Sequence, residues 1–201
     1  MTVFSTDVKK SNIIAVGTLT AAVAALAVYS VTMCEVTLKD YIHLPKWGIS
    51  AVGIVFLLML FIPNIIWSKN QPKGYEESAK LENKLLLTLE RMGEGLVSTL
   101  VLIDRRTDRF SFSPRTGYLA IALILMILYE LYWIKYFRSS RTLADMYSDY
   151  CGFPLAGASL PVFAVFLLGV YACNVFLIAS AFILGIGHIG IHIMHKKEIE
   201  K

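Results

Sequence analysis

Apolar runs long enough to cross a bilayer alternate with short polar connectors over most of the chain. Such runs cover about 13–33, 47–67, 84–103 and 118–137, and each matches a hydrocarbon core of about 30 Å. Residues 152–194 are apolar for too long to form one crossing. At 1.5 Å per residue that stretch reaches roughly 60 Å. A break at Ala172-Cys173 divides it into spans of about 152–171 and 174–194. The pattern predicts an all-α polytopic integral membrane bundle of six transmembrane helices within a single domain, 1–201.

The run at 13–33 follows Lys9 and Lys10 and imitates a secretory signal, but its length and the later spans favour an uncleaved first helix. The third segment is different, because Glu90, Arg91 and Glu94 interrupt its leucines. Near a helix centre these three charges cost about 8–10 kcal/mol, and the apolar residues return only about 3–6 kcal/mol. Alone it does not insert. It requires pairing or burial against other helices, or else it lies on the surface as an amphipathic helix and leaves five spans. Pro63 near the end of the second span, and Pro154 and Pro161 in the fifth, predict kinks or irregular starts. In the polar segment 139–151, Thr142 followed by Asp145 predicts a short interfacial helix.

A chain that is 56% hydrophobic and only 17% charged leaves no room for a separate soluble domain. With six spans and both termini cytoplasmic, the inner segments hold twelve Lys and Arg and the outer segments six, the orientation that the positive-inside rule favours. The expected location is therefore the plasma membrane, multi-pass, with the lipid bilayer as first partner. The net charge of +4 follows from those connectors and implies no nucleic-acid partner. Gly185-Ile-Gly187-His188-Ile-Gly190 matches GxGxxG literally but follows no strand, so it is a helix-packing pattern and not a nucleotide site. Cys34, Cys151 and Cys173 form no CxxC; Cys34 and Cys173 fall on one side, which leaves a disulfide between them open.

This orientation brings polar groups to one depth. Glu90 and Glu94 lie roughly 9 and 15 Å along the third helix, Glu130 about 8 Å from the end of the fourth, and His192 and His188 about 6 and 12 Å inside the sixth. Asn64 sits near the same end of the second. His188, His192 and His195 share a face within about 40°, as do Asn83, Glu90 and Glu94, with Arg91 on the flank. Glycines beside the histidines permit another backbone to come close. The expectation is a cytoplasm-facing polar pocket built from Glu90, Glu94, Arg91, Glu130, Asn64 and Asn83 beside His188 and His192, with nothing comparable in the outer half. His195, next to Lys196 and Lys197, reads as interfacial.

Three fragments carry a resemblance: Ile62-Pro63-Asn64-Ile65-Ile66-Trp67, Glu82-Asn83-Lys84 running to Glu94, and Gly185 to His192. They resemble small multi-span bacterial membrane proteins without a known activity. The HxxxH pair His188 and His192 also resembles that on the last span of seven-span membrane hydrolases of the ceramidase and adiponectin-receptor type. Those carry a third histidine in another span, whereas His43 here lies in the first outer loop.

Three classes of function stay open. A transport or ion-coupling protein uses Glu90, Glu94 and His188 as protonatable or cation-binding groups, with the proline-broken fifth span as its moving part. An intramembrane hydrolase acting on a lipid holds Zn²⁺ through His188, His192 and a glutamate. An accessory subunit uses the same charges for helix pairing with a membrane-protein partner or a second copy of the chain.

Overall fold

The computed structural model describes residues 46–110 and 113–200. The expected first span at 13–33, together with Cys34 and His43, lies outside the described residues. Within them the structure is helical, without a named strand: α1 (Ala51–Ser68), α2 (Tyr75–Ala79), α3 (Lys84–Ile103), α4 (Thr116–Arg138), α5 (Leu143–Met146), α6 (Ala156–Tyr171) and α7 (Val175–Ile199), with a 3-10 turn at Arg105–Asp108.

Three of these helices, α1, α4 and α7, are long and apolar enough to cross a membrane, which points to membrane association. Of the six spans expected, five fall within the described residues, and three of those five meet this length and composition. The charges of α3 keep it out of the set, and α6 is a shorter apolar helix of 16 residues.

The five principal helices form a ring. α3 packs along α7, α7 against α6, α6 against α4, and α1 touches both α4 and α3. The α3–α7 seam is a backbone approach made possible by two glycines. A Cβ on Gly93 would sit 2.5 Å from the Cα of Leu184, and one on Gly187 would sit 2.3 Å from the Glu90 amide nitrogen. Contact on this scale is how a helix that is too polar to stand alone in hydrocarbon is kept against its neighbour.

At one end, here the capped end, α1 begins beside the finish of α3. Ser50 N donates to Leu102 O at 2.8 Å and Gly48 N to Ile103 O at 3.0 Å. These bonds occupy 47–50 in a pairing with the α3 terminus, so α1 starts at Ala51 and not at Trp47. Ser50 caps it by accepting from Gly53 N at 2.8 Å. Asp108 adds a second cap, accepting from Val52 N at 3.0 Å and Ala51 N at 3.2 Å. Burial opposes the charge on Asp108, but those amides, the Ser50 hydroxyl and Arg105 outweigh it and hold its carboxyl below the ordinary value.

The other end, here the cavity end, is shaped by the shortness of α6. Fifteen of its sixteen residues are buried, the composition of a helix apolar on every side and enclosed by neighbours. It starts at Ala156, after Pro154 and a Leu155 held at φ 49°. The preceding connector folds in between α4 and α7. Its anchor is α5, where the Thr142 hydroxyl accepts from Asp145 N and the Asp145 carboxylate accepts from Thr142 N, a reciprocal capping box. Tyr132 Oη of α4 donates to the Met146 carbonyl, and Lys196 Nζ of α7 donates to Asp149 at 2.8 Å. Between α6 and α7 the chain turns at Cys173, φ 50°, and Asn174 caps α7 by accepting from Phe176 N and Leu177 N.

Candidate functional site

Inside the ring, toward the cavity end, lies a cavity of about 140 Å³. Every principal helix contributes to its wall: Asn64 and Trp67 from α1, Glu90 from α3, Tyr132 and Trp133 from α4, Gly157 from α6, His188 and His192 from α7. Tyr75, Glu82 and Tyr147 close it from the connectors. The volume holds several waters or a small ion. It falls below the about 300–1,000 Å³ of sites that enclose drug-sized ligands.

At its centre Glu90 Oε1 meets His188 Nδ1 across the α3–α7 seam. Glu90 is buried and the His188 side chain mostly so. One turn on, the His192 ring lies 4.6 Å from that of His188, centroid to centroid. His192 is buried, and its Nδ1 has no hydrogen-bond partner among the described residues. Tyr147 stands edge-on to His192 at 5.0 Å and stacks on His195 at 5.2 Å.

His195 is not an interfacial side chain. It is 2% exposed, because the short helix α2 and the Glu82 connector fold over it. Its Nε2 lies 3.0 Å from Glu82 Oε1, its Nδ1 lies 2.7 Å from Ser78 Oγ, and Glu198 approaches Nδ1 at 3.5 Å.

The remaining predicted residues divide. Arg91 and Glu94 line the cavity but pair with each other at its rim, 3.0 Å apart, with side chains 70% and 44% exposed. Asn64 also lines the wall; its Nδ2 donates to Leu60 O at 2.7 Å and to Tyr129 Oη at 3.2 Å. Asn83 does not. Its carboxamide oxygen accepts from Leu85 N and Leu86 N, making it the N-cap of α3. Glu130 is absent from the wall too, although its α4 neighbours Tyr132 and Trp133 line it.

Three carboxylates, Glu82, Glu90 and Glu94, face one guanidinium around this space. The Tyr75 hydroxyl responds to that field. Burial first, then Glu82 and Glu90, push its pKa up to about 12. A wall of this sign favours a proton or a cation over an anion.

The expected zinc set is not assembled: among the described residues no group of three or more His, Cys, Asp and Glu side chains is placed to hold a metal ion. Glu90 reaches one ring of the His188–His192 pair, and no other carboxylate completes the set.

The capped end carries buried charges that the sequence reading did not anticipate. Asp104 is fully buried and Arg106 nearly so, with Arg106 Nη2 2.7 Å from Asp104 Oδ2. Asn174 Nδ2 donates to the same oxygen at 2.7 Å, and Arg106 Nη1 donates to the Cys173 carbonyl at 3.1 Å. This network ties the α3–α4 connector to the α6–α7 turn. It lines no part of the cavity and reads as a structural joint.

Comparison with family models, curated proteins and solved structures found no match.

Proposed function

We propose that the chain is a six-span protein of the plasma membrane, both termini cytoplasmic, whose cavity opens to the cytoplasm and serves transport or ion coupling. The observation that carries this reading is the Glu90–His188 pair, buried in a small cavity of acidic sign. Titratable groups at membrane depth are expensive and are retained where an ion or proton is handled. The cavity volume favours a small charged species over a lipid substrate.

The test is ion flux in proteoliposomes carrying a pH-sensitive dye and an imposed cation or proton gradient. Glu90→Gln preserves an acceptor for His188 but removes the charge, so it is expected to abolish flux while the protein still folds. Flux that survives Glu90→Gln at the wild-type rate rejects the reading.

A second reading is supported by the exposed Arg91–Glu94 pair. A charged pair exposed at the rim of the cavity suits contact with another membrane protein, which makes the chain an accessory subunit. A wild-type protein that supports no flux alone but gains it with a co-purified partner favours this alternative.

A further inference from the structure

We infer that residues 75–82, between α1 and α3, are a lid over the cavity and that His195 is its latch. The inference rests on the ion-coupling reading and gives it the part that moves.

The segment lies between two fixed points. Before it, the Asn70 carbonyl accepts from Tyr136 Oη at 3.3 Å, and the Asn70 side chain accepts from Arg141 Nη1 at 2.8 Å. After it, Asn83 is held as the cap of α3. Gly74 stands at its start with φ 84°, in the left-handed region where a backbone turns most freely as glycine. The helix that follows, α2, has five residues, none of them buried, and begins without a side-chain cap. A helix so short is not stable on its own hydrogen bonds and depends on what it touches.

What it touches is chiefly one imidazole. Glu82 Oε1 lies 3.0 Å from His195 Nε2, and Ser78 Oγ lies 2.7 Å from His195 Nδ1. A neutral imidazole offers one donor and one acceptor, so the ring donates to Glu82 while it accepts from Ser78. Both nitrogens are thus spent on the same segment, at points four residues apart. The ring itself is firmly seated in α7, 2% exposed, stacked on Tyr147 and off the cavity wall. Its surroundings make it a holder of the segment and no part of the binding space. Two lesser contacts help: Ser78 Oγ lies 3.2 Å from Glu198 Oε2, and Tyr75 stands edge-on to Trp67 at 4.9 Å.

Moving this segment changes the cavity directly. It supplies Tyr75 and Glu82 to the wall, so a swing about Gly74 takes away one side of the enclosure and uncovers His195. Helix α6, whose prolines made it the expected moving part, is less suited. Fifteen of its sixteen residues are buried, and it packs against α4 and α7 together. Displacing it disturbs the whole ring, whereas displacing 75–82 breaks a few polar contacts and one ring contact.

The test is amide hydrogen–deuterium exchange, read by mass spectrometry on the full protein in lipid nanodiscs. In unmodified protein, residues 75–82 are expected to exchange together and ahead of the α3–α7 seam. His195→Phe keeps a ring against Tyr147 but removes both bonds, and is expected to speed that exchange by about a hundredfold. Ser78→Ala removes one bond from the lid side and is expected to speed it by about fivefold, with α3 unchanged in both variants. Exchange at 75–82 as slow as in the seam of the unmodified protein overturns the lid, and this arm needs no variant to fold. Exchange unchanged in both variants overturns the latch. A second arm joins Ser78→Cys to His195→Cys by an oxidant, the disulfide being verified by mass. Flux in proteoliposomes is expected to stop in the joined protein and return on reduction; flux that continues through the joined protein overturns the lid. Absent flux in unmodified protein, with the exchange pattern as expected, rejects the coupling reading and leaves the lid standing.

Discussion

Gly187 rests on the backbone of Glu90 so closely that a methyl group in place of its hydrogen would lie 2.3 Å from the Glu90 nitrogen and 2.7 Å from the Leu86 carbonyl oxygen. The glycine that brings α3 against α7 thus stands one residue before His188, the partner of Glu90. Packing and chemistry share a single helical turn.

Gly187→Ala is therefore expected to force the two helices apart. Overpacking costs about 1–3 kcal/mol, and a clash with backbone belongs at the upper end of that range. Gly95 is the control, since a Cβ there meets nothing within 4 Å. Gly95→Ala should be neutral or stabilise by up to about 1 kcal/mol through helix propensity. Thermal unfolding of both variants in detergent makes the comparison, and equal stabilities would mean the seam is looser than described.

The joint at the capped end gives a second expectation. Asp104→Ala leaves the buried Arg106 without its carboxylate and Asn174 without its acceptor, at a cost of about 3–5 kcal/mol. Asp104→Leu combined with Arg106→Met removes both charges and is expected to cost less than the single change. Denaturation curves for the single and double variants decide it; a double variant worse than Asp104→Ala would assign the joint a role besides ion pairing.

Asp108 supplies the pH dependence. Its pKa is lower in the folded protein than in the unfolded chain, so the stabilisation it gives is complete above the ordinary carboxylate value. That stabilisation is lost as pH falls through the depressed folded value. Asp108→Ala should cost about 0.5–2 kcal/mol at neutral pH, the range of a helix cap, and the deficit should shrink on acidification. Melting temperatures measured across the acidic limb check both the size and the sign.

Arg91 and Glu94 separate the two functional readings. An exposed pair contributes about 0–1 kcal/mol, so Arg91→Gln should leave the stability of the isolated protein almost unchanged. Ion coupling by the chain alone also leaves its oligomeric state unchanged. Dissociation of a native complex by Arg91→Gln, seen by size-exclusion chromatography, would instead support the accessory reading.

What could be read from the sequence is what repeats along a helix. The extent of α3 follows from the apolar run at 84–103, and the facing of Glu90 and His188 follows from helical spacing and intervening glycines. The irregular segments were opaque. Nothing periodic places Ser78, Tyr75 or Tyr147 against α7, because they reach it from connectors whose course is set by tertiary contacts. Asp104, Arg106 and Asn174 belong to two turns far apart in sequence, so their joint has no local signature. Asn83 and Glu130, expected in the pocket, do not line it: the Asn83 carboxamide is consumed as the cap of α3, and helical spacing alone did not separate Glu130 from its cavity-lining neighbours Tyr132 and Trp133.

The brevity of α6 has a consequence for how the cavity is walled. At 1.5 Å per residue α6 runs about 24 Å, against about 34 Å for α4 and 38 Å for α7. Where α6 begins, at the cavity end, the wall passes from its Gly157 to Met146 and Tyr147 of the connector before it. That stretch of wall therefore belongs to a connector, and its shape answers to the Thr142–Asp145 capping box and the Tyr132 bond to Met146 as much as to helix packing.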